Sequence, residues 1–179
     1  MRQVRVVPRS ALRVDLPSVT QRTDHTCGPA ALVAIARHAG LRTDEATLAR
    51  RMRCGPEGSD PVQLRAVLTE LGLPHREARG MRDRDLRQAL RAGLAVVLAI
   101  QAHGEGHWVV AIGVDARGVY VEDPWLGAAR GMLTWRELAA CWHDVEGRPA
   151  RPLVRYGLVV TPGSSARGCR AGSRASSRS

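Results

Sequence analysis

The sequence predicts an α+β domain in which N-terminal helices pack on a C-terminal antiparallel sheet. Three observations carry that expectation. Four segments with helical apolar spacing fall within residues 29–92, strand-length apolar runs begin only at residue 94, and a turn at Asp115-Ala116-Arg117-Gly118 folds two of those runs back on each other. Helices first and hairpin-joined strands afterwards is the element order of that class.

Each element has a local reason. Pro29 suits the first turn of a helix, apolar positions run through Ala30, Leu32, Val33, Ile35 and Ala36, and Gly40 ends it. Thr43 is the expected cap of a second helix, Asp44 to about Arg53, with acids in its first turn. Ser59-Asp60-Pro61 starts a third, which places Leu64, Val67, Leu68 and Leu71 on one face and stops at Gly72. Residues 83–92 form a short fourth, closed by Gly93. Strands follow at 94–101, 107–114 and 118–123; Thr134 caps a helix from Trp135 to Trp142, and Leu153 to Val160 is a last strand. The expected organisation is a basic, loosely held arm over residues 1–16 with room for one short strand, a domain over 17–161, and a disordered Arg/Ser/Gly-rich tail over 162–179.

Composition narrows the function classes. The 179 residues are 44% hydrophobic yet contain no Phe, so the core must come from Leu, Val, Ala and Ile. Every one of the 27 basic residues is Arg; without Lys there can be no Walker A loop and no ATPase of that type. The net charge of +10 sits at the ends, where residues 1–22 carry five Arg against one Asp and residues 162–179 carry four Arg and no acid. With no recognition motif and no aromatic platform beside that charge, no specific nucleic-acid partner is expected. No apolar run reaches the roughly 18–20 residues of a membrane span, and the charged, Pro-interrupted N-terminus is no secretory signal. The cysteines at 27, 54, 141 and 169 lie far apart, which argues against a disulfide framework and a four-Cys zinc site. A reduced, cytoplasmic protein is the simplest expectation.

The chemistry concentrates at four positions. Gly28-Pro29 places Cys27 at a helix N-terminus, where free N–H groups and the positive end of the dipole favour a thiolate; a small buried hydrophobe at a helix start is the alternative. His107 opens a strand after Gly104-Glu105-Gly106, and Asp123 closes the next strand of the same hairpin, so both come to one end of it. Whether they share a face depends on register. By reach, His107 would move the proton and Asp123 would orient and support its ring. Gln21, six residues before the thiol, could stabilise an oxyanion together with the Cys27 backbone N–H. Thiol, amide, imidazole and carboxylate are together the parts of a papain-type nucleophile site. His103-Gly-Glu105-Gly-His107 lacks the helical His-Glu-x-x-His spacing, so no metal and no cofactor is expected. Cys54 and Cys141 read as structural, and His25 stands close enough to Cys27 to tune it.

With these segments, and with Val119-Tyr-Val-Glu-Asp123-Pro124 and Leu133-Thr-Trp-Arg-Glu-Leu138, the chain resembles the C39 family of bacterial cysteine peptidases over about residues 17–160. The resemblance implies a papain-like fold, Cys27 as nucleophile, His107 as general base and acid, Asp123 as orienting carboxylate and Gln21 as oxyanion donor. It implies a peptidase that cleaves precursor peptides after a Gly-Gly type leader, through a cleft that admits only small residues. Many members precede an ABC exporter; this chain looks like a free-standing member, with a separately encoded exporter as a possible partner. It departs from the family at His25-Thr26, where an acidic or polar pair is usual. Two other functions stay open: a non-catalytic peptide-docking module, and an acyl transferase on a papain-like scaffold.

Overall fold

A computed structural model of the chain describes residues 1–147 and 149–161; the tail expected to be disordered, with Cys169, lies outside the described residues. In chain order the elements are β1 (Arg2–Val4), β2 (Leu12–Arg13), α1 (Cys27–His38), α2 (Glu45–Met52), α3 (Pro61–Glu70), β3 (His75–Ala78), α4 (Asp83–Arg91), β4 (Ala95–Ala102), β5 (Glu105–Val114), β6 (Gly118–Glu122), β7 (Arg130–Thr134), α5 (Trp135–Cys141), β8 (His143–Glu146), β9 (Arg151–Val154) and β10 (Gly157–Val160). The main sheet is antiparallel and runs β1-β7-β6-β5-β4-β10-β3, with β2 joined to β5. Strands β8 and β9 form a separate hairpin.

Capping follows the side chains available. Asp60 and Gln63 form a reciprocal capping box with Pro61 in the first turn of α3, and Thr134 with Glu137 does the same for α5. The second helix is corrected by one residue: Asp44, not Thr43, is its cap, with Oδ1 accepting from the Thr47 N–H at 2.8 Å. Helix α1 is buried from Cys27 to Ala36 and packs on β5. Its alanines at 30, 31, 34 and 36 are fully covered, which lets the helix axis lie close to the sheet.

Strict segregation of helices before strands does not hold. One outer strand, β1, against β7, fills the room the arm left for a short strand; the other, β3, against β10, comes from a segment read as non-strand. Nor is the arm loosely held. Where β4 stops pairing at Ala111, β2 takes over the edge of β5 opposite Gly113 and Val114, and the Val14 N–H donates to Ile112 O at 2.8 Å. Ala11, Val14 and Leu16 are buried; a fully buried Val or Leu contributes roughly 1.5–3 kcal/mol, comparable to the cost of ordering its own backbone. The last strand, expected as one piece, divides into β9 and β10 because Arg155 turns the chain with φ +48°.

Candidate active site

The first half of the site is a helix end left uncapped. Thr26 precedes α1, but its hydroxyl donates back to Thr23 O at 3.0 Å and makes no bond to the helix. No acid lies in the first turn. The unpaired N–H groups and positive dipole end of α1 therefore act on Cys27 alone, whose residue is 5% exposed. Gly28 is required here by contact: a Cβ would stand 2.1 Å from Ser59 Oγ. Its absence lets the loop before α3 close over the helix start beside the thiol.

The second half depends on an irregularity in the sheet. From the β5–β6 turn, Val114 faces Val119 and Gly113 faces Tyr120; past a bulge at Ile112, Ala111 faces Val121 and Val110 faces Glu122. Continued without the bulge, the register would put Asp123 opposite Val110 and on the other face from His107. The extra residue shifts it by one, so Asp123 falls opposite Val109, on the His107 face and diagonal to it. His107 Nε2 then donates to Asp123 Oδ1 at 2.7 Å. The carboxylate can only accept, so Nε2 carries the proton and Nδ1 is left for the thiol. Cys27 lies close enough to the His107 ring to raise its affinity for a proton, which sets thiol, imidazole and carboxylate side by side.

Electrostatics follow from that geometry. Burial opposes a charged His107 ring, yet the hydrogen bonds and charges of Asp123 and Cys27 outweigh it and hold the imidazole up, at about 9. Burial likewise opposes ionisation of Asp123, which is fully buried; the His107 and His103 hydrogen bonds and the Trp125 N–H, at 2.9 Å, nevertheless keep its carboxyl below the usual range.

Gln21 occupies the loop that leads to α1. Its backbone N–H donates to Pro124 O at 3.0 Å, which ties this loop to the Asp123 turn. Its Nε2 donates to Thr23 O at 2.9 Å and Asp24 O at 3.3 Å, while Oε1 is buried without a partner. Two acceptors at Nε2 fix which end of the amide is nitrogen. In this conformation the amide braces its own loop. Cys27 opens into a cleft of about 600 Å³ walled by Asp24, Ser59, Glu105, Trp108 and Asp144, among others. The Trp108 indole donates to Ser59 O at 2.8 Å and fixes one wall, whereas Ser59 Oγ is buried without a partner. His25 lies on the same wall, with Nε2 3.3 Å from Thr23 Oγ1, and Cys54 donates to His25 O at 3.3 Å.

Several residues here had no sequence signal strong enough to single them out. His103 Nε2 donates to the second Asp123 oxygen at 3.0 Å. Glu122, adjacent to Asp123 and fully buried, pairs with Arg130 and accepts from the Val19 N–H at 2.9 Å, anchoring the arm to the site. Asp144 comes from β8 and fills the space where a Cβ on Gly106 would lie, 2.5 Å from its Oδ2. Burial pushes its carboxyl up. His103, His107 and Asp123 offer donor atoms within 4.8 Å of one another, as a metal site would. At 2.7 and 3.0 Å, however, both imidazole nitrogens stand at hydrogen-bond distance from the carboxylate; tetrahedral metal ligands would stand roughly 3.3 Å apart. Among the described residues, no helix is long and apolar enough to cross a membrane.

Known proteins carry the same fold and sequence pattern. The peptidase domain of Streptococcus ComA, a bifunctional ABC transporter of a quorum-sensing pathway, superposes with a TM-score of 0.64 at 18% identity, over 83% of this chain and 98% of that one. A double-glycine-motif protease from an AMS/PCAT transporter, in complex with its leader peptide, gives 0.66 at 16% identity, over 84% and 94%. In sequence, the chain is 31% identical to the protein MTBMA_c00490 of Methanothermobacter marburgensis, over 63% of this chain and 74% of that one. It is 30% identical to the probable functional amyloid protease FapD of Pseudomonas aeruginosa over 71% of its own length, and spans 57% of FapD. The sequence model of the Peptidase C39 family matches residues 15–146. The fold is papain-like, and the chain belongs to the Peptidase C39 family.

Proposed function

We propose that this C39 family peptidase is a cysteine endopeptidase that removes leaders from small precursor peptides after a Gly-Gly type site. The observation that carries the reading is the hydrogen-bonded His107–Asp123 pair set beside Cys27, whose thiol opens into the cleft. The thiolate of Cys27 attacks the carbonyl of the second Gly. His107, charged at neutral pH, gives its proton to the leaving amine and then takes one from water to release the leader. Asp123 holds the ring in the tautomer that faces the thiol. The Cys27 N–H stabilises the oxyanion, joined by Gln21 once its amide turns from Thr23 and Asp24. Support for the substrate class comes from the double-glycine protease and its leader peptide, and a separately encoded exporter is the proposed partner. The resident chemistry needs neither metal nor cofactor.

One observation favours a second reading, a docking module. Gln21 Nε2 is engaged by two loop carbonyls, so one oxyanion donor is turned away in this conformation. One experiment separates the readings: incubate the protein with peptides that contain or lack Gly-Gly and follow products by mass. The peptidase predicts a single cut after Gly-Gly, abolished in Cys27→Ala. Tight binding with no product supports docking, and a Cys27→Ala variant that cuts as well as wild type defeats the peptidase reading.

A further inference from the structure

We propose that His103 is a positioning residue for the site: it holds the second oxygen of Asp123, so that the line runs Cys27–His107–Asp123–His103 with four members. This deepens the peptidase reading and rests on it for the role of the first three.

The backbone first draws attention to this residue. Strands β4 and β5 are joined by His103 and Gly104 alone, with Ala102 opposite Glu105. Their φ angles are +56° and +91°. A two-residue turn with both φ positive is cheapest with Asn or Gly in its first place. A side chain of His's size there carries strain, and strain in a well-paired hairpin points to what the side chain does. Its ring stacks on Trp125, with centroids 5.2 Å apart and planes at 18°, and meets the His107 ring edge-on at 5.1 Å. Nε2 reaches Asp123 Oδ2 at 3.0 Å.

Every approach to Asp123 is then filled. Oδ1 takes the His107 Nε2–H and the Trp125 N–H, and Oδ2 takes His103. The neighbouring acid, Glu122, is committed elsewhere, to Arg130 and Val19. His103 is the one member facing solvent, its side chain 22% exposed while Asp123 is fully covered. Stacked with Trp125, it roofs the carboxylate. Without it, Oδ2 would take water, and Asp123 could rotate and offer His107 a looser acceptor. Its hydrogen bond also favours the ionised form of Asp123.

The test uses two variants and a readout that needs no substrate: the rate of Cys27 alkylation by iodoacetamide as a function of pH, read by mass spectrometry on the full chain. His103→Asn suits the left-handed turn at least as well as His but is too short to reach Asp123. It should fold with an unchanged or higher Tm, yet label Cys27 about tenfold more slowly near pH 6, with the acid limb displaced to higher pH. His103→Gln restores a longer donor and should recover part of the rate. With a cleavable peptide, kcat should fall about ten- to a hundredfold at unchanged KM, the range for one hydrogen bond to a charged group. A His103→Asn profile that superposes on wild type overturns the proposal. Normal labelling profiles without cleavage of any peptide would sink the peptidase reading and leave the His103 test standing.

Discussion

The two halves of the site differ in how completely their polar atoms are matched. On the sheet side, His107, Asp123 and His103 are joined by hydrogen bonds at 2.7 and 3.0 Å, and both Asp123 oxygens are occupied. On the loop side, Gln21 Oε1 and Ser59 Oγ are buried without partners. A buried polar atom left unmatched costs about 1–3 kcal/mol, and this chain carries one on a cleft residue, Ser59, and one in the loop that leads to Cys27. The difference teaches a division of labour. Under the proposed peptidase reading, the half that would handle the proton is pre-organised, and the half that would meet substrate keeps hydrogen-bonding capacity in reserve for amide groups to satisfy. Changes to the buried sheet-side pair, His107 and Asp123, should cost stability and chemistry together, whereas changes on the loop side should cost chemistry alone.

The largest effect should come from the register between β5 and β6. Deleting Val121 from β6 leaves Val119 and Tyr120 on their partners but moves Glu122 opposite Ala111 and Asp123 opposite Val110. Asp123 then turns away from His107, and Glu122 takes its place on that face, having left Arg130. Peptidase activity should fall by more than about 10³-fold. The His107 imidazole, followed by NMR, should titrate near about 6.5 instead of about 9. A Val121 deletion that keeps the wild-type titration would show that the β5–β6 register does not set the geometry.

The bulge within that register also marks the limit of what the sequence discloses. Cys27, His107, Asp123 and Gln21 are legible because each carries a local signature: Gly-Pro after the thiol, glycines before the histidine, Asp-Pro after a strand. The end of the hairpin where His107 and Asp123 meet follows from its turn. Their shared face does not, because one extra residue at Ile112 reverses the parity and nothing in Val-Ala-Ile-Gly-Val announces it. The outer strands, one expected only as a short strand somewhere in the arm and the other not at all, were faint for a different reason. Arg2–Val4 and His75–Ala78 are short and polar, as edges that must not recruit other chains tend to be, so they lack an apolar period. His103 was discounted because its spacing from His107 fits no helical metal motif; its role comes from a turn conformation and a contact across the hairpin. Asp144 enters the cleft from β8, far from the other site residues in sequence.

On the loop side, Gln21→Ala is the sharper probe. It removes a buried oxygen that has no partner, together with two bonds to loop carbonyls. The Tm should stay within about 1 °C of wild type, because losing the unmatched atom offsets losing the bonds. Loss of one oxyanion donor should still lower kcat by about 10²-fold with KM little changed. Thermal unfolding beside steady-state kinetics checks both. A fall in Tm with intact kcat would make Gln21 a structural brace and remove the contrast between the halves.

The smallest expected effect concerns pH. The His107 imidazole is held above its unperturbed value of 6.5, at about 9, so the folded state binds its proton more tightly than the unfolded state does. Its contribution to stability is therefore complete below about pH 6.5 and lost as pH rises through about 9. Asp123 has the opposite sign: its carboxyl is held low, so its contribution is present above the ordinary carboxylate range and lost as pH falls. Cys54 and Cys141, whose thiols are raised by burial, also favour the unfolded state in alkali, so the wild-type curve alone cannot isolate His107. The difference between wild type and His107→Ala does. Between pH 6.5 and 9 the wild-type Tm should fall about 5–10 °C further than that of the variant, the shift that roughly 2.5 kcal/mol produces in a domain of this size. Gln21→Ala should follow the wild-type curve through the same window, since the loop half holds no titrating group of that line. Parallel curves for wild type and His107→Ala would mean that the imidazolium is no better held in the folded site than in the open chain, and the sheet half would lose its claim to be pre-organised.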